Sequence, residues 1–528
     1  MQFPVVTVVE GQLRGCQKTN LLGDKFYSFL GIPFGKPPVG DLRFKAPVPI
    51  EPWNTIKEAT VDGDACYQRN DLTNIVEGSE NCLHLNVYTK NLPEESKELK
   101  PVMVWFYGGA FVRGSNSSKL YGPEFLMTED IVLVAVNYRV GFLGFLQTND
   151  VSLDVFGNAG LKDQQLGLKW VQRNIRNFNG DPQNVTIFGE SAGSASVHYH
   201  VLSPTSKGLF HKAILQSGCI LNPWSSANNY TLEFAKSIKE DIKTEREALE
   251  LLRNLSVEDL FEAQNKFRSP IRVIAPCIEK PNPTSILTSP PAEVLSSSQY
   301  NRVPIMMGFC DREGLLFEFY RKIASATGKN EFELKKPDKS MLLPPGLNGE
   351  DPQIKSILHS LEDIYSREPI SKDVYALHTD YNFVAGIIAA AKIHAKTSDN
   401  PVYCYRVSLD AGLNLLKHIG KVTEPGTCHG DELGYIFDIH IAAGVLKRGD
   451  IEEKAIKNFV KLWTNFAKTG NPTPQGNDLN IIWKPVSGNE LNLLDIGTEL
   501  RPLTESEPEQ MKLWKQLFKL NPLFTDLL

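Results

Sequence analysis

A serine between glycines is the first group in the sequence whose setting suggests covalent chemistry. Residues 184–200 read NVTIFGESAGSASVHYH, in which Gly189, Ser191 and Gly193 form a G-x-S-x-G pattern. A chain of this length contains the pattern by chance roughly one time in five, so its context has to carry the prediction. β-Branched and aromatic residues before the turn favour a strand, and residues 192–202 can continue as a helix. A serine at such a turn presents its hydroxyl as a nucleophile.

A serine nucleophile needs a general base, usually a histidine that is oriented by a carboxylate. Of the ten histidines, His429 stands in a glycine-flanked loop, GTCHGDELGYIF, shortly after the predicted strand at 401–407. His198 and His200 lie on the predicted helix after Ser191, so we expect them to be packing or surface residues. His429 is therefore the predicted base.

Two carboxylates could orient that histidine. Asp311 and Glu313 both follow the predicted strand VPIMMGF directly, in GFCDREGLLF. In folds where a G-x-S-x-G serine follows a strand, the acid comes between the serine and the histidine along the chain. Position alone leaves the acid open between these two residues.

A glycine-rich loop could hold the negative charge that such chemistry develops. The apolar run at 101–107, PVMVWFY, favours a strand buried on both faces and leads directly into Gly108, Gly109, Ala110 and Phe111. Small residues in this place let backbone N–H groups point into a cavity, where they can bind an oxyanion.

The elements around these residues alternate between strands and helices from about residue 100 to residue 220. Such alternation predicts an α/β fold with a mostly parallel sheet and helices on both faces. Helical excursions are expected at about 225–300 and 330–400. No linker or internal repeat divides the sequence, so we predict one catalytic domain from 1 to 528.

Composition excludes several classes of function. The chain of 528 residues has 41% hydrophobic and 22% charged residues and a net charge of −6, with no basic run that would indicate nucleic-acid binding. Its longest apolar run, at 383–391, is too short to span a membrane. The N-terminus has no secretory signal, which predicts a cytoplasmic protein, or a secreted one if a signal was removed. The eight cysteines show no metal-site spacing, and we predict no metal and no organic cofactor.

Nine stretches spread over nearly the whole chain carry a resemblance to a known family: GIPFGKPPVGDLRF, SENCLHLNVY, VWFYGGAF, NYRVGFLGF, GNAGLKDQ, FGESAG, GFCDREG, GTCHGDELGYIF and FAKTGNP. Together they resemble the carboxylesterase–cholinesterase family of α/β-hydrolases, and the sequence looks most like the intracellular insect carboxylesterases called α-esterases. The resemblance implies the α/β-hydrolase fold and a serine carboxylesterase. It favours Glu313 over Asp311 as the acid beside Ser191 and His429.

The resemblance also assigns supporting residues. It implies an oxyanion hole from the backbone N–H groups of Gly109, Ala110 and Ala192, with alanine at 110 where the family often has glycine. The remaining matches are the ion pairs Arg43–Glu80 and Arg139–Asp163, a disulfide between Cys66 and Cys82, and a pocket wall formed by Trp224, Phe111 and the segment 271–278.

The implied substrates are small esters of apolar alcohols, with organophosphates as covalent inhibitors. The segment from Cys66 to Cys82 contains no tryptophan, which argues against choline esters because cholinesterases bind the cation on one. Glu190 stands where juvenile hormone esterases typically have glutamine, which argues against hormone hydrolysis but leaves it as an alternative. The sequence is also compatible with a scavenger of toxic esters and with a non-catalytic adhesion protein, and it does not determine the oligomeric state.

Overall fold

The computed structural model describes residues 3–70, 74–268, 273–326, 342–344, 347–488 and 490–520. The chain divides into two compact units. Unit 1 consists of Met1–Lys212 and Trp224–Ser289, and unit 2 consists of Ala213–Pro223 and Pro290–Leu528. That the whole chain forms one catalytic domain stays a prediction.

Unit 1 is a mixed β and α structure. Its described strands are β1 (Val5–Val8), β2 (Gly11–Arg14), β3 (Cys16–Thr19), β4 (Lys25–Pro33), β5 (Ile56–Glu58), β6 (Gln68–Arg69), β7 (Val76–Glu77), β8 (His84–Thr89), β9 (Lys100–Phe106), β10 (Val132–Val136) and β11 (Gly180–Glu190). Its described helices are α1 (Gly141–Phe145), α2 (Ala159–Asn174), α3 (Ala192–Leu202), α4 (Thr231–Ile238), α5 (Glu245–Asn254) and α6 (Val257–Phe267).

The main sheet of unit 1 has the strand order β11-β9-β10-β8-β4-β3. Strands β10 and β11 run parallel to β9, whereas β8, β4 and β3 pair with their neighbours in antiparallel fashion. From Val102 onward β9 is completely buried, and so is all of β10, as their continuous apolar runs predict. Strand β11 ends at Glu190 and α3 begins at Ala192, so the predicted strand, turn and helix around Ser191 are present.

Unit 2 carries the later strands and helices. Its strands are β12 (Lys212–Gln216), β13 (Ile305–Cys310), β14 (Val402–Val407), β15 (Leu491–Ile496) and β16 (Leu500–Glu505). Its described helices are α7 (Pro291–Ser296), α8 (Leu315–Ala326), α9 (Pro352–Ser366), α10 (Ala376–Thr379), α11 (Ala385–Thr397), α12 (Leu415–Gly420), α13 (Asp450–Thr469) and α14 (Glu509–Leu520).

The strands of unit 2 lie in the order β16-β15-β14-β13-β12. Pairing is parallel from β12 to β15 and antiparallel between β15 and β16. The strands predicted at 303–309 and 401–407 correspond to β13 and β14. Because parallel strands end at the same edge of a sheet, β13 and β14 bring the segments after Cys310 and Val407 together.

The predicted helical excursions are present where the structure describes them. Helices α4 to α7 lie within the first excursion, and α9 to α11 lie within the second. Residues 269–272, 327–341 and 345–346, which lie within or beside these excursions, fall outside the described residues. In the described part of the chain, no helix is long and apolar enough to cross a membrane.

Both ion pairs expected from the family resemblance form in unit 1. Arg139 Nη2 lies 2.7 Å from Asp163 Oδ1, and both side chains are buried. Arg43 pairs with Glu80 through two nitrogens and also donates from Nη1 to the carbonyl of Leu255 at the end of α5. Arg43 therefore connects the segment before Cys82 to the helical excursion.

The half-buried carboxyl group of Asp380 in unit 2 should make stability depend on pH. Burial is the main cause that raises the pKa of Asp380 from 3.8 to about 7. Between these values the unfolded state has lost the proton that the folded state keeps, so the free energy of unfolding falls as pH rises. We expect Asp380→Asn to remove up to ~3 kcal/mol of this fall between pH 5 and pH 8. Melting temperatures measured across that range will show a shallower decrease for the variant.

The matched control for this prediction is Asp363→Asn. Asp363 is half exposed on α9 and pairs with Arg367, which directly follows that helix, so Asp363→Asn should leave the pH dependence unchanged. Equal slopes for wild type and Asp380→Asn would contradict the interpretation that the folded protein keeps the Asp380 proton up to about pH 7.

Candidate active site

Ser191 stands at the turn from β11 to α3 in a strained backbone conformation, with φ 57° and ψ −121°. The positions before and after Ser191 in the pattern require glycine, because a side chain there would collide with backbone atoms. A Cβ atom on Gly193 would lie 2.0 Å from the carbonyl oxygen of Phe106, and one on Gly189 would lie 2.5 Å from the carbonyl carbon of Gly193. The turn therefore fits tightly against the end of β9.

The loop after β9 lies against this turn. A Cβ atom on Gly108 would lie 2.6 Å from Glu190 Oε2 and 3.0 Å from Ser191 Cβ. The loop then continues through Gly109, Ala110 and Phe111 with φ of 117°, 53° and 59°. Two successive non-glycine residues with positive φ are rare outside functional sites.

The three N–H groups predicted to bind an oxyanion are available in unit 1. Among the hydrogen bonds of the described residues, none is donated by the backbone N–H of Gly109, Ala110 or Ala192. Ala192 is also the first residue of α3, where the helix dipole favours negative charge.

Unit 2 holds a hydrogen-bonded acid and histidine. Glu313 Oε2 lies 2.6 Å from His429 Nδ1, and both side chains are buried. The other carboxylate oxygen accepts the backbone N–H of Cys310 at 2.8 Å. A carboxylate only accepts, so Nδ1 carries the proton and Nε2 is left as a proton acceptor.

Asp311, the second candidate acid, has a different partner. Its Oδ1 accepts the backbone N–H of Thr427 at 2.7 Å, two residues before His429. Burial raises the pKa of the Asp311 carboxyl group. The structure thus brings Glu313 to the imidazole and uses Asp311 to hold the loop that carries it.

Asp431 is a supporting residue that sequence reasoning missed. Its carboxylate accepts the backbone N–H groups of Cys428 at 2.8 Å and Lys417 at 3.0 Å, and burial raises its pKa to about 7. The signal was an aspartate directly after the His-Gly pair, where a carboxylate can cap the backbone of its own turn.

A sequence model described as the carboxylesterase family matches residues 2–514. The chain belongs to the carboxylesterase family. Two curated insect relatives are each 34% identical to it. Esterase FE4 of Myzus persicae aligns over 93% of this chain and 88% of its own length, and juvenile hormone esterase of Tribolium castaneum over 90% and 85%.

The fold is similar to that of a solved juvenile hormone esterase. Juvenile hormone esterase from Manduca sexta, with OTFP covalently attached, superposes with a TM-score of 0.84 at 28% identity. The match covers 99% of this chain and 100% of that one. The α/β-hydrolase fold predicted from the sequence is thereby confirmed.

Aromatic side chains continue from the loop after β9 in this carboxylesterase-family chain. Phe111 is buried and its ring centroid lies 5.2 Å from that of Phe145 and 6.5 Å from that of Trp224. Phe145 also lines a small cavity together with Val273, Ile274 and Ala275, within the wall segment expected at 271–278. Residues 271 and 272 lie outside the described residues.

The remaining histidines and cysteines named in the sequence analysis are buried. His198 and His200 are both buried, as expected for packing residues, and His200 contacts Ser206 and Gln164. Burial lowers the pKa of His200 to about 3, so it is neutral.

Cys66 and Cys82 are buried neighbours without a bond between them here, and the side-chain contact with Cys66 raises the pKa of Cys82. Their disulfide stays a prediction.

Proposed function

We propose that this chain is a serine carboxylesterase that hydrolyses carboxylic esters of apolar alcohols through an acyl-serine intermediate. The observation that carries the proposal is the buried pair of Glu313 and His429, whose 2.6 Å hydrogen bond fixes the imidazole tautomer that a base requires. The strained conformation of Ser191 supports it, because it exposes the hydroxyl of the predicted nucleophile.

In the first half of the reaction, His429 takes the proton of Ser191 while the serine oxygen attacks the ester carbonyl. Glu313 stabilises the imidazolium that results. The tetrahedral oxyanion accepts hydrogen bonds from the N–H groups of Gly109, Ala110 and Ala192, each contributing about 3 kcal/mol. The imidazolium then protonates the leaving alcohol, and the acyl group remains on Ser191.

In the second half, His429 takes a proton from water, and the resulting hydroxide attacks the acyl-serine. The same three N–H groups stabilise the second oxyanion. The imidazolium returns its proton to Ser191 Oγ as the acid leaves. Both halves use one base and one oxyanion site, so the proposed reaction needs no metal or organic cofactor.

The substrate class follows from the aromatic surroundings. Phe111, Phe145 and Trp224 give an apolar lining suited to short and medium acyl groups. Hydrolysis of juvenile hormone is the second candidate, and it is favoured by the hormone esterases among the similar proteins. A role in detoxification in the cytoplasm, including capture of organophosphates, is part of the first proposal. An adhesion protein without activity is the least favoured interpretation, because all three reacting residues are present.

Covalent labelling tests the proposed nucleophile. We expect diisopropyl fluorophosphate to add one diisopropylphosphoryl group per chain, located by mass spectrometry on Ser191, with ester hydrolysis lost in proportion. An adduct on another residue accompanied by the same loss would refute the assignment. A panel of esters varied separately in acyl and alcohol parts, with choline and juvenile hormone esters included, then distinguishes the two substrate classes.

A further inference from the structure

A π-helical turn lies between α10 and α11, from Asp380 to Val384. Such turns insert an extra residue into a helix and are frequent at functional sites. The wider turn interrupts the regular hydrogen bonding of an α-helix. The carbonyl oxygen of Phe383 accepts a hydrogen bond from Asn222 Nδ2 at 2.9 Å. A Cβ atom on Gly386 would lie 2.8 Å from Asn222 Nδ2, so glycine is needed for this contact.

The first residue of the turn is fixed as well. Asp380 Oδ2 accepts the hydroxyl of Tyr365 at 2.7 Å, and Tyr365 in turn accepts Trp514 Nε1 at 3.0 Å. The turn is therefore held on one side by α9 and α14 and on the other by the segment after β12. A helical turn that is anchored on both sides has a defined geometry.

The turn places an aromatic ring on the histidine of the proposed active site. The ring centroids of Phe383 and His429 lie 4.5 Å apart at an interplanar angle of 39°, and Phe383 is 3% exposed. Glu313 holds the imidazole by its Nδ1 edge, whereas Phe383 covers its face. The two contacts together limit both the in-plane position and the rotation of the ring.

We propose that Phe383 is a positioning residue for His429. It keeps the imidazole in the orientation in which Nδ1 meets Glu313, and its negative ring face stabilises the imidazolium that forms in each half of the reaction. This inference rests on the proposed function, since it takes His429 to be the base. Phe383 acts through His429 and makes no chemical step itself.

The experiment compares Phe383→Leu and Phe383→Tyr with the control Phe466→Leu. Phe466 is an equally buried phenylalanine of unit 2 whose ring packs on Tyr403. For Phe383→Leu we expect kcat to fall about 10-fold with KM within about 2-fold of wild type. Phe383→Tyr keeps the ring and should restore most of kcat. Phe466→Leu should lower the melting temperature comparably but leave kcat unchanged.

A second variant covers the case in which Phe383→Leu does not fold. Asn222→Ala removes the contact that holds the Phe383 carbonyl, and we expect it to lower kcat about 3-fold at constant KM. The proposal would be overturned if Phe383→Leu and Asn222→Ala both kept wild-type kcat. It would also be overturned if Phe466→Leu lost as much kcat as Phe383→Leu. Labelling of wild-type Ser191 by diisopropyl fluorophosphate distinguishes failure of the proposed function from failure of the positioning role. If wild type is not labelled at Ser191, the proposed function fails. If wild type is labelled and the Phe383→Leu and Asn222→Ala variants keep wild-type kcat, only the positioning role is refuted.

Discussion

Replacing Glu313 with glutamine is expected to lower kcat for ester hydrolysis about 10⁴-fold, the size found when a triad acid becomes its amide. The carboxylate accepts the His429 Nδ1 proton at 2.6 Å. An amide can instead donate to Nδ1, which favours the tautomer with a proton on Nε2 and removes the base. The amide also lacks the charge that stabilises the imidazolium. Steady-state kinetics with a nitrophenyl ester measure the loss.

Asp311→Asn is the matched control, since it makes the same chemical change two residues away. Asparagine keeps an oxygen that can accept the Thr427 N–H, so we expect kcat within about 10-fold of wild type. If the asparagine variant lost more activity than the glutamine variant, the acid would be Asp311 and the proposed pairing would be wrong.

Gly193→Ala is expected to displace the turn at Ser191. The new methyl carbon would lie 2.0 Å from the Phe106 carbonyl oxygen and 2.6 Å from that of Tyr107, and both are backbone atoms that cannot rotate away. Helix α3 must therefore move relative to β9. A shift of about 1 Å at a reacting group costs about 10²-fold in rate, and the overpacked site loses about 1–3 kcal/mol of stability. Thermal melting and kcat/KM report the two effects.

Gly444→Ala controls for the substitution itself, because a Cβ atom at Gly444 meets no atom within 4 Å. We expect its melting temperature and activity to match wild type. A Gly193→Ala variant with the same properties would show that the turn can accommodate a side chain and that its tight fit is not required.

The sequence predicted the features that depend on local pattern. The continuous apolar run at 101–107 identified β9, and the strand, glycine turn and helix around Ser191 were placed correctly. Position along the chain also brought Glu313 and His429 to neighbouring strand ends. Only family resemblance separated Glu313 from Asp311, because both follow β13 and either side chain could reach a histidine.

The rest depended on contacts between residues distant in the chain. The π-helical turn at Asp380 has no sequence signature of its own, since the run from Phe383 onward shows only continuous apolar residues. The role of Asn222 depends on a carbonyl more than 150 residues away. Strands β15 and β16 and helix α14 were not predicted. In β16, apolar and polar residues alternate only weakly because much of the strand is exposed.

The left-handed conformations of Ala110, Phe111 and Ser191 bear on how this protein would respond to selection in the laboratory. Each is a non-glycine residue at a positive φ, a conformation that costs roughly 1–3 kcal/mol per residue. Selection for heat tolerance alone should therefore enrich glycine at position 110, whereas selection for turnover should retain alanine and its strained backbone. Thermal adaptation and catalytic adaptation would then pull this loop toward different sequences.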